Sequence, residues 1–230
     1  MKTSKIIFIA LLSTIALIIL AALIDLRLSG KRYVDGKKDY KISKLKIPSI
    51  RVLCINENSS IELVQSDSAY FELTVMKDSI VPELKYAISG DTLKIMDQMT
   101  KIGSGAWVSI HINDQLNQII LKNSHTNLIN FGISNLSFDL DQSSVNVNQV
   151  IVKKTAFQRL NILAKNNSRF EADDIKIDSL QVELQHSEVY LWSTVNNLNG
   201  SIADSSRLRV RQPRAITLKR DLSSNVEINE

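Results

Sequence analysis

The side chains best suited to recognition chemistry lie close together near the end of the chain. They are Tyr190, Trp192, Arg209 and Arg211. Exposed aromatic rings beside arginine are typical of recognition surfaces, and a guanidinium group also stacks on a ring face. We therefore identify these four residues as a candidate binding face for a glycan or an acidic partner. The alternative, which the pattern favours, is that they form purely structural ladders between neighbouring strands.

Carboxylates that could catalyse hydrolysis are not arranged for it. Glycoside hydrolysis needs two carboxyl groups facing each other across one bond. Asp173 and Asp174 are adjacent in the sequence, and adjacent residues of a strand point to opposite faces. We expect a solvated corner there, no catalytic residue and no enzymatic activity.

The histidines and the single cysteine suggest no metal or cofactor site. His111, His125 and His186 fall at unrelated places, without the spacing of a zinc site, and are expected to be isolated surface residues. Cys54 alternates with Val52 and is expected to be a core thiol, since a lone cysteine can form no internal disulfide.

The elements that must position these side chains are short strands in a repeating pattern. Each repeat begins at an apolar anchor, alternates apolar and polar residues, turns at a serine seven or eight residues after the anchor, and alternates again. Spacings of 20, 24, 20, 18 and 18 residues separate the anchors Leu116, Leu136, Leu160, Leu180, Leu198 and Ile216. A period near twenty is typical of solenoids.

This repeat predicts an all-β fold, a single-stranded, right-handed parallel β-helix (β-solenoid) preceded by a transmembrane helix. In a coil, Leu180 and Val182 would face inward while Gln181 faces water. One coil cannot bury its apolar face alone, so successive coils must stack. We expect a domain over residues 47–230, irregular over 47–115 and regular over 116–228. The alternative is an antiparallel sandwich with coincidental spacing.

Stacking also predicts which outward side chains become neighbours. We take Phe170, Val189, Leu208 and Val226 as equivalent inward positions. Because neighbouring strands lie about 4.8 Å apart, the flanking residues should form ladders of opposite charge and arginine-on-aromatic contacts. The three expected ladders are Arg169, Glu188, Arg207 and Asn225, then Glu171, Tyr190, Arg209 and Glu227, then Asp173, Trp192, Arg211 and Asn229.

The irregular first half contains six apolar, strand-like segments. Residues 89–91, Ser-Gly-Asp, are a hairpin signal between two of them. The segments cover residues 50–55, 61–64, 71–75, 84–88, 92–95 and 107–112.

The amino-terminal segment predicts a membrane anchor. The run that begins at Ile6 and ends at Ile24 contains nineteen residues without a charge, which suits a bilayer-spanning helix. We expect residues 1–26 to be an anchor or uncleaved signal in contact with the lipid bilayer, and a cleaved signal is the alternative. Positive charges after the run favour a cytoplasmic domain, whereas a short tail before a long apolar run is also typical of export.

Charge is distributed unevenly along the chain. Ten Lys and Arg against three Asp give residues 1–46 a net charge of +7, which leaves −3 of the total +4 for residues 47–230. Nucleic-acid binding requires a basic domain face and is therefore not expected. Residues 27–46 are expected to be a basic juxtamembrane linker that lies against anionic lipids or is simply solvated.

The strand order resembles a known family. Residues 50–55, 60–65, 71–75 and 91–95, followed by serine-cornered repeats, are similar to the auto-transporter adhesin head, or GIN, domain of exported Bacteroidetes-type proteins. The resemblance covers residues 47–228 and implies an exported β-solenoid, without catalytic residues to carry over. It favours a domain outside the cytoplasmic membrane, in the periplasm. The family usually has Ser-Gly corners, whereas this chain has Asn-Ser, Ser-Ser and His-Ser.

Together these patterns predict a membrane-anchored, extracytoplasmic binding or structural module of the cell envelope. One alternative is a carbohydrate-active enzyme, a lyase or hydrolase, on the same scaffold. Another is an envelope-stress or signalling accessory protein. Carboxylates converging in a groove would favour the enzyme, and a face of paired ladders would favour the module. The last coil, ending at Ile228, should leave an apolar end.

Overall fold

The computed structural model describes residues 40–56, 60–76, 84–96, 106–148, 156–211 and 213–229, together with Leu17, Ile19 and Leu20. The chain divides into two compact units, Met1–Lys41 with Met76–Asp78, and Ile42–Val75 with Ser79–Glu230. In the first unit Leu17, Ile19 and Leu20 are helical and exposed. The rest of the predicted anchor, and linker residues 27–39, lie outside the described residues. In the described part of the chain, no helix has the length and apolar character needed to cross a bilayer.

All regular structure described from residue 40 onward is β-strand, which confirms the all-β prediction. Strand β1 occupies residues that the sequence assigned to the basic linker. The strands are β1 (Tyr40–Lys46), β2 (Val52–Asn56), β3 (Ser60–Gln65), β4 (Tyr70–Met76), β5 (Tyr86–Ser89), β6 (Thr92–Ile95), β7 (Ala106–Ile112), β8 (Gln118–Lys122), β9 (His125–Ile129), β10 (Asn135–Asp141), β11 (Ser144–Asn148), β12 (Ala156–Lys165), β13 (Arg169–Gln185), β14 (Glu188–Ala203), β15 (Arg207–Arg211), β16 (Ala215–Arg220) and β17 (Asn225–Asn229).

From β8 onward every pairing between the strands that the structure describes is parallel and follows the predicted repeat. Leu160 is level with Leu136 on one neighbouring coil and with Leu180 on the other, where "level" means paired in the strand register. Leu198 is level with Leu180 and Ile216. Only the first spacing differs. Ser137 is level with Gln118, an offset of 19 residues, whereas the spacing between the anchors Leu116 and Leu136 predicts an offset of 20.

The first half is stacked out of sequence order, and its sheet is mixed. Strand β2 lies between β6 and β8, and β3 lies between β7 and β9, all in parallel. Strand β4 is antiparallel to β7, and β5 is antiparallel to β6. The predicted hairpin joins β5 to β6, and Gly90 adopts a left-handed φ of 61° in its two-residue turn. Such a tight turn can only join antiparallel strands, so a purely parallel helix does not describe this half.

The core consists of the side chains that point inward as residues alternate along each strand. In β10, Leu136, Phe138 and Leu140 are buried while the residues between them are partly exposed. Phe138 and Phe170 pack edge to face with ring centroids 5.1 Å apart. Burying a side chain of this kind stabilises the fold by about 1.5–3 kcal/mol, so the stacked coils supply the main driving force.

Each regular corner is made by a left-handed residue followed by a buried serine. Asparagine and histidine adopt the left-handed region more readily than most other non-glycine residues, which explains how the corners at Asn123, Asn167 and His186 form without the Ser-Gly pairs of the resembling family. The left-handed residues are Asn123, Gln142, Asn167, His186 and Ser205, and the serines that follow them are Ser124, Ser143, Ser168, Ser187 and Ser206.

These serines form a continuous hydrogen-bonded column. The backbone N–H of Ser124 donates to Oγ of Ser143 at 3.1 Å, and that of Ser143 donates to Oγ of Ser168 at 3.1 Å. Ser168 donates in the same way to Ser187 at 3.3 Å, and Ser187 to Ser206 at 3.1 Å. The hydroxyl of Ser187 also donates to the Gln185 carbonyl at 2.9 Å. The predicted turn-forming role of the serines is confirmed, and they additionally link one coil to the next.

The final coil presents an apolar edge, as the sequence predicts. In it Ile216 and Ile228 are 43% and 49% exposed, although they continue the column of inward positions. Leu222, in the corner between β16 and β17, is fully exposed.

Candidate binding face

The four predicted face residues lie on two neighbouring strands. Tyr190 and Trp192 belong to β14, and Arg209 and Arg211 belong to β15. Tyr190 is level with Arg209 because inward Val189 is level with inward Leu208. The alternation of β14 directs Trp192 to solvent, where it is 49% exposed.

Guanidinium groups lie over both aromatic rings, as predicted, but the two shortest contacts join residues of adjacent predicted ladders. The Cζ atom of Arg169 lies 4.8 Å from the Tyr190 ring centroid. The Cζ atom of Arg209 lies 5.1 Å from the Trp192 ring and 6.0 Å from the Tyr190 ring. Contacts of this kind contribute about 0.5–1 kcal/mol at exposed sites. They hold both rings in fixed orientations.

Opposite charges alternate along the first ladder. Arg169 Nη1 lies 3.4 Å from Glu188 Oε2, and Arg207 Nη1 lies 3.9 Å from Glu188 Oε1. Arg169 Nε also donates to Glu171 Oε1 at 2.8 Å, and this hydrogen bond is the main reason that the pKa of Arg169 is raised. The pairs are solvent-exposed, so each stabilises the fold by at most about 1 kcal/mol. Their main effect is to fix the stacking register.

Tyr190 and Arg209, which belong to the second ladder, form hydrogen bonds with neighbouring coils. Arg209 Nε donates to Glu227 Oε2 on the next coil at 2.6 Å. Arg207 Nη1 donates to the Tyr190 hydroxyl at 3.4 Å, and this bond raises the pKa of Arg207. Tyr190 and Arg209 are therefore committed to contacts within the protein.

The third predicted ladder is wrong at Arg211. This residue is level with Thr194 instead of Trp192, because the register shifts by two residues between β14 and β15. Next to the shift, Ser193 lies on the inward side of β14 and is buried, and its hydroxyl donates to the Ala172 carbonyl at 3.2 Å. A constant offset between coils could not anticipate this irregularity.

The shift leaves Trp192 and Arg211 as the available pair of the face. Thr194, the residue level with Arg211, lies two positions beyond Trp192 on the same exposed side of β14. Arg211 is exposed, and no ion pair joins it to another residue that the structure describes. Trp192 contacts Arg209 yet leaves about half of its surface to solvent. Arg211 is therefore diagonal to Trp192 on the same outward side of the sheet, with Cα atoms about 8 Å apart, so one ligand can reach both side chains.

Asp173 and Asp174 do not point to opposite faces, contrary to the sequence expectation. Both are exposed, because Asp174 adopts a left-handed φ of 50° at a second register shift, before Lys176. The irregular residue interrupts the alternation and turns both carboxylates outward. The expectation of a solvated corner agrees with this placement.

His111 is not an isolated surface residue, and this correction reveals a cluster that the sequence did not suggest. Its ring stacks on Tyr70 with centroids 4.1 Å apart, and its side chain is 14% exposed. Glu72 Oε2 lies 3.8 Å from His111 Nε2 and 3.2 Å from Lys44 Nζ. Burial lowers the pKa of His111, while the hydrogen bond with Glu72 raises that of Lys44. Three strands supply the cluster, so no local spacing signals it.

The other two histidines lie at corners, where each contacts a neighbouring coil. His125 Nδ1 lies 2.6 Å from Ser144 Oγ, and His186 Nδ1 lies 3.2 Å from the Asp204 carbonyl oxygen. In the described part of the chain, no group of three or more His, Cys, Asp or Glu side chains is placed to hold a metal ion.

Cys54 lies on the outward face of β2, so the prediction that it is a core thiol is wrong. Leu53 and Ile55 are the buried residues of β2, and Cys54 lies between them on the outward side, half-buried. Burial raises the pKa of its thiol, and the nearby charges of Lys94 and Lys122 oppose that shift. The apolar character of Val52 suggested the opposite phase of alternation.

Comparison with known proteins identifies similar folds only. No protein-family model matches the chain, and none of the curated proteins matches it. A "putative lipid binding protein" from Parabacteroides distasonis ATCC 8503 shares 14% identity over 84% of this chain and 97% of its own, with a TM-score of 0.57. A "putative adhesin" from Bacteroides fragilis NCTC 9343 shares 14% identity over 84% of this chain and 98% of its own, with a TM-score of 0.51. The chain thus shares its fold with Bacteroidetes proteins that carry these names.

Proposed function

We propose that this protein is a non-catalytic binding module of the cell envelope, and that its exposed face takes an acidic glycan. The observation that carries the proposal is that Trp192, 49% exposed, and Arg211, exposed and without an ion pair among the described residues, lie on the same outward side of two neighbouring strands. The names given to the two structural neighbours, an adhesin and a lipid-binding protein, also favour binding over catalysis.

The chemistry of this pair fits an acidic sugar. The flat indole of Trp192 can cover the apolar face of a sugar ring, as aromatic side chains do at binding surfaces. The guanidinium of Arg211 can hold a carboxylate with two parallel hydrogen bonds. Together they distinguish an acidic sugar from a neutral one.

The ladders around the pair prepare it for binding. Arg209 holds one side of Trp192 and is itself held by Glu227. A ring that is already oriented loses less conformational freedom when a ligand binds. Paired ladders of this kind favour the module over a carbohydrate-active enzyme, which requires carboxylates that converge on one bond.

The architecture and location that accompany this function are parts of the proposal. The serine-cornered parallel coils support a right-handed solenoid of the GIN type over residues 116–228. The uncharged run that begins at Ile6 and ends at Ile24 supports a retained anchor, with the β domain on the extracytoplasmic side. An envelope module that binds glycans needs this side, because glycans are displayed there.

A glycan microarray tests the ligand. The full chain, solubilised in detergent, is applied to sialylated and uronic-acid glycans beside their neutral counterparts. We expect binding to acidic glycans and at least about a tenfold loss of affinity in Trp192→Ala and in Arg211→Gln, the loss typical of hot-spot residues. Lys219→Gln, which removes an exposed positive charge from β16, is the matched control and should bind as the wild type does. Equal binding by all variants, or no acidic glycan bound, contradicts the proposal.

Fractionation with protease accessibility tests the location. We expect the protein in the membrane fraction, with the β domain digested when protease is added to cells whose outer barrier has been opened. Recovery in the soluble fraction, or full protection from the added protease, contradicts the proposed anchor or its orientation.

A further inference from the structure

A groove of about 350 Å³ lies at the corners of the early coils, separate from the Trp192 and Arg211 pair. We refer to it as the corner groove. Its volume falls in the range of about 300–1,000 Å³ typical of small-ligand sites. Two columns of side chains line it, Ser60, His125 and Ser144 at strand starts, and Asn123, Gln142 and Asn167 in the corners.

Strand register and backbone conformation place these two columns side by side. Ser60 and Ser144 are level with His125 on the two neighbouring coils. Gln142 and Asn167 hold left-handed φ values of 50° and 64° in successive corners. Because neighbouring coils lie about 4.8 Å apart, the groove offers similar polar groups at regular intervals.

The lining chemistry defines the class of ligand. Hydroxyl, carboxamide and imidazole groups both donate and accept hydrogen bonds, and the lining residues that the structure describes include no Lys, Arg, Asp or Glu. A phosphate or carboxylate is normally held by cationic side chains, and a lipid chain by apolar ones. A ligand with many neutral hydroxyl groups matches this lining best.

The floor of the groove is already ordered. His125 Nδ1 and Ser144 Oγ lie 2.6 Å apart, which fixes the imidazole ring. The hydroxyl of Ser143 accepts the Ser124 N–H at 3.1 Å and donates to the Asp141 carbonyl at 2.7 Å. Serine and histidine alone do not make a nucleophile, since catalysis needs a third group to orient the base. Among the described residues, no hydrogen bond or ion pair joins a carboxylate to His125.

From this lining and geometry we propose that the corner groove binds a neutral saccharide. The inference goes beyond the acidic-glycan face, because the two sites use different residues and different chemistry. Because the two sites share no residues, each one is testable alone.

Glycine substitutions in the corners give a sharp test. Asn167→Gly and Gln142→Gly remove a lining side chain at a backbone conformation that glycine adopts readily, so the fold is preserved. His186→Gly is the matched control, because His186 has a left-handed φ of 50° before a buried serine, outside the groove. Trp192→Ala tests whether the corner groove binds its ligand independently of the candidate binding face. His125→Ala removes the ordered imidazole ring from the groove.

The full chain is titrated with neutral mono- and disaccharides, and saturation-transfer NMR detects the binding. We expect binding that weakens at least about tenfold in Asn167→Gly, Gln142→Gly and His125→Ala, and stays unchanged in His186→Gly and Trp192→Ala. No neutral saccharide bound, or equal binding by the groove variants, overturns the inference. A loss in Trp192→Ala would also overturn it, since it would assign the binding to the face. Thermal unfolding of each variant confirms that it is folded.

Discussion

Ser187 donates its backbone N–H to the hydroxyl oxygen of Ser206, nineteen residues later, at a distance of 3.1 Å. The side-chain hydroxyl of Ser187 in turn accepts a hydrogen bond from the Ser168 N–H at 3.3 Å and donates one to the Gln185 carbonyl at 2.9 Å. All three serines are buried. Each one therefore satisfies polar groups of two coils, in a place that water does not reach.

Ser187→Ala should destabilise the protein by about 1–3 kcal/mol, because it leaves the Ser168 N–H buried without its acceptor. The measurement is the free energy of unfolding from urea titration. Ser201→Ala, at an exposed position of β14, is the control and should change the free energy by less than about 0.5 kcal/mol. Equal effects of the two substitutions would contradict the role assigned to the column.

Gly200 permits a close approach between β14 and β13. It occupies a position level with inward Val182 and has a φ of 142°, and a Cβ atom there would lie 1.8 Å from the Val182 carbonyl oxygen. Gly200→Ala should therefore destabilise the protein by about 3 kcal/mol or more, through backbone strain and overlap. Gly90→Ala is the control, since Gly90 is left-handed but has open space around it. Gly90→Ala should lower the free energy of unfolding by only about 1–2 kcal/mol. A larger decrease in Gly90→Ala than in Gly200→Ala would refute this explanation.

Thr126 is a polar residue in an apolar column. It is fully buried and level with Ile61 and Val145, and its hydroxyl has no hydrogen-bond partner among the described residues. Thr126→Val keeps the shape and removes the unsatisfied group, so we expect stabilisation by about 0.5–2 kcal/mol. Thr217→Val, at an exposed position of β16, should have little effect on the urea midpoint. Destabilisation by Thr126→Val would indicate that the hydroxyl has a bonded partner in solution.

Asp221 makes the stability of the last coil depend on pH. Hydrogen bonds from Ser224, from the Asp204 N–H and from the Ser223 hydroxyl lower its pKa from 3.8 to about 2. As the pH falls, the unfolded chain takes up the proton first. The contribution of Asp221 is thus complete above about pH 4 and is lost as the pH falls through about 2.

Asp221→Asn should consequently be less stable than the wild type at neutral pH, and the difference should narrow between about pH 4 and pH 2. Thermal unfolding of both proteins across this range provides the measurement. A difference that stays constant with pH would show that the carboxylate is not held in its charged form.

Features that depend on local alternation and a fixed period were predictable from the sequence. Inward Leu160, Leu180 and Leu198 are level in the structure because apolar alternation and serine corners leave one way to bury them. The ladders around Glu188 and Tyr190 follow from that register, so most of the candidate face was predictable as well.

Features that depend on distant pairing or on local irregularity were not predictable. Strand β2 is parallel to β8 through Leu53 and Ile119, although the sequence places five other strands between them. The register shift between β14 and β15 places Arg211 level with Thr194 instead of Trp192, and a constant offset between coils cannot predict such a local irregularity. Polar residues such as His125 and Gln142 form the corner groove only after four coils are stacked, and none of them signals a site alone.

Disulfide trapping tests the stacking of coils most directly. With Cys54→Ser as background, Glu183→Cys and Ser201→Cys place two thiols at positions that are level on neighbouring coils. Their Cα atoms should be about 5 Å apart, within the range of about 4.4–6.8 Å that a disulfide needs. Pairing Glu183→Cys with Asn199→Cys instead moves one thiol by two residues, to about 8 Å. The account predicts rapid, nearly complete oxidation of the first pair and little of the second. Equal or reversed oxidation of the two pairs would contradict the stacking of coils on which both proposed sites depend.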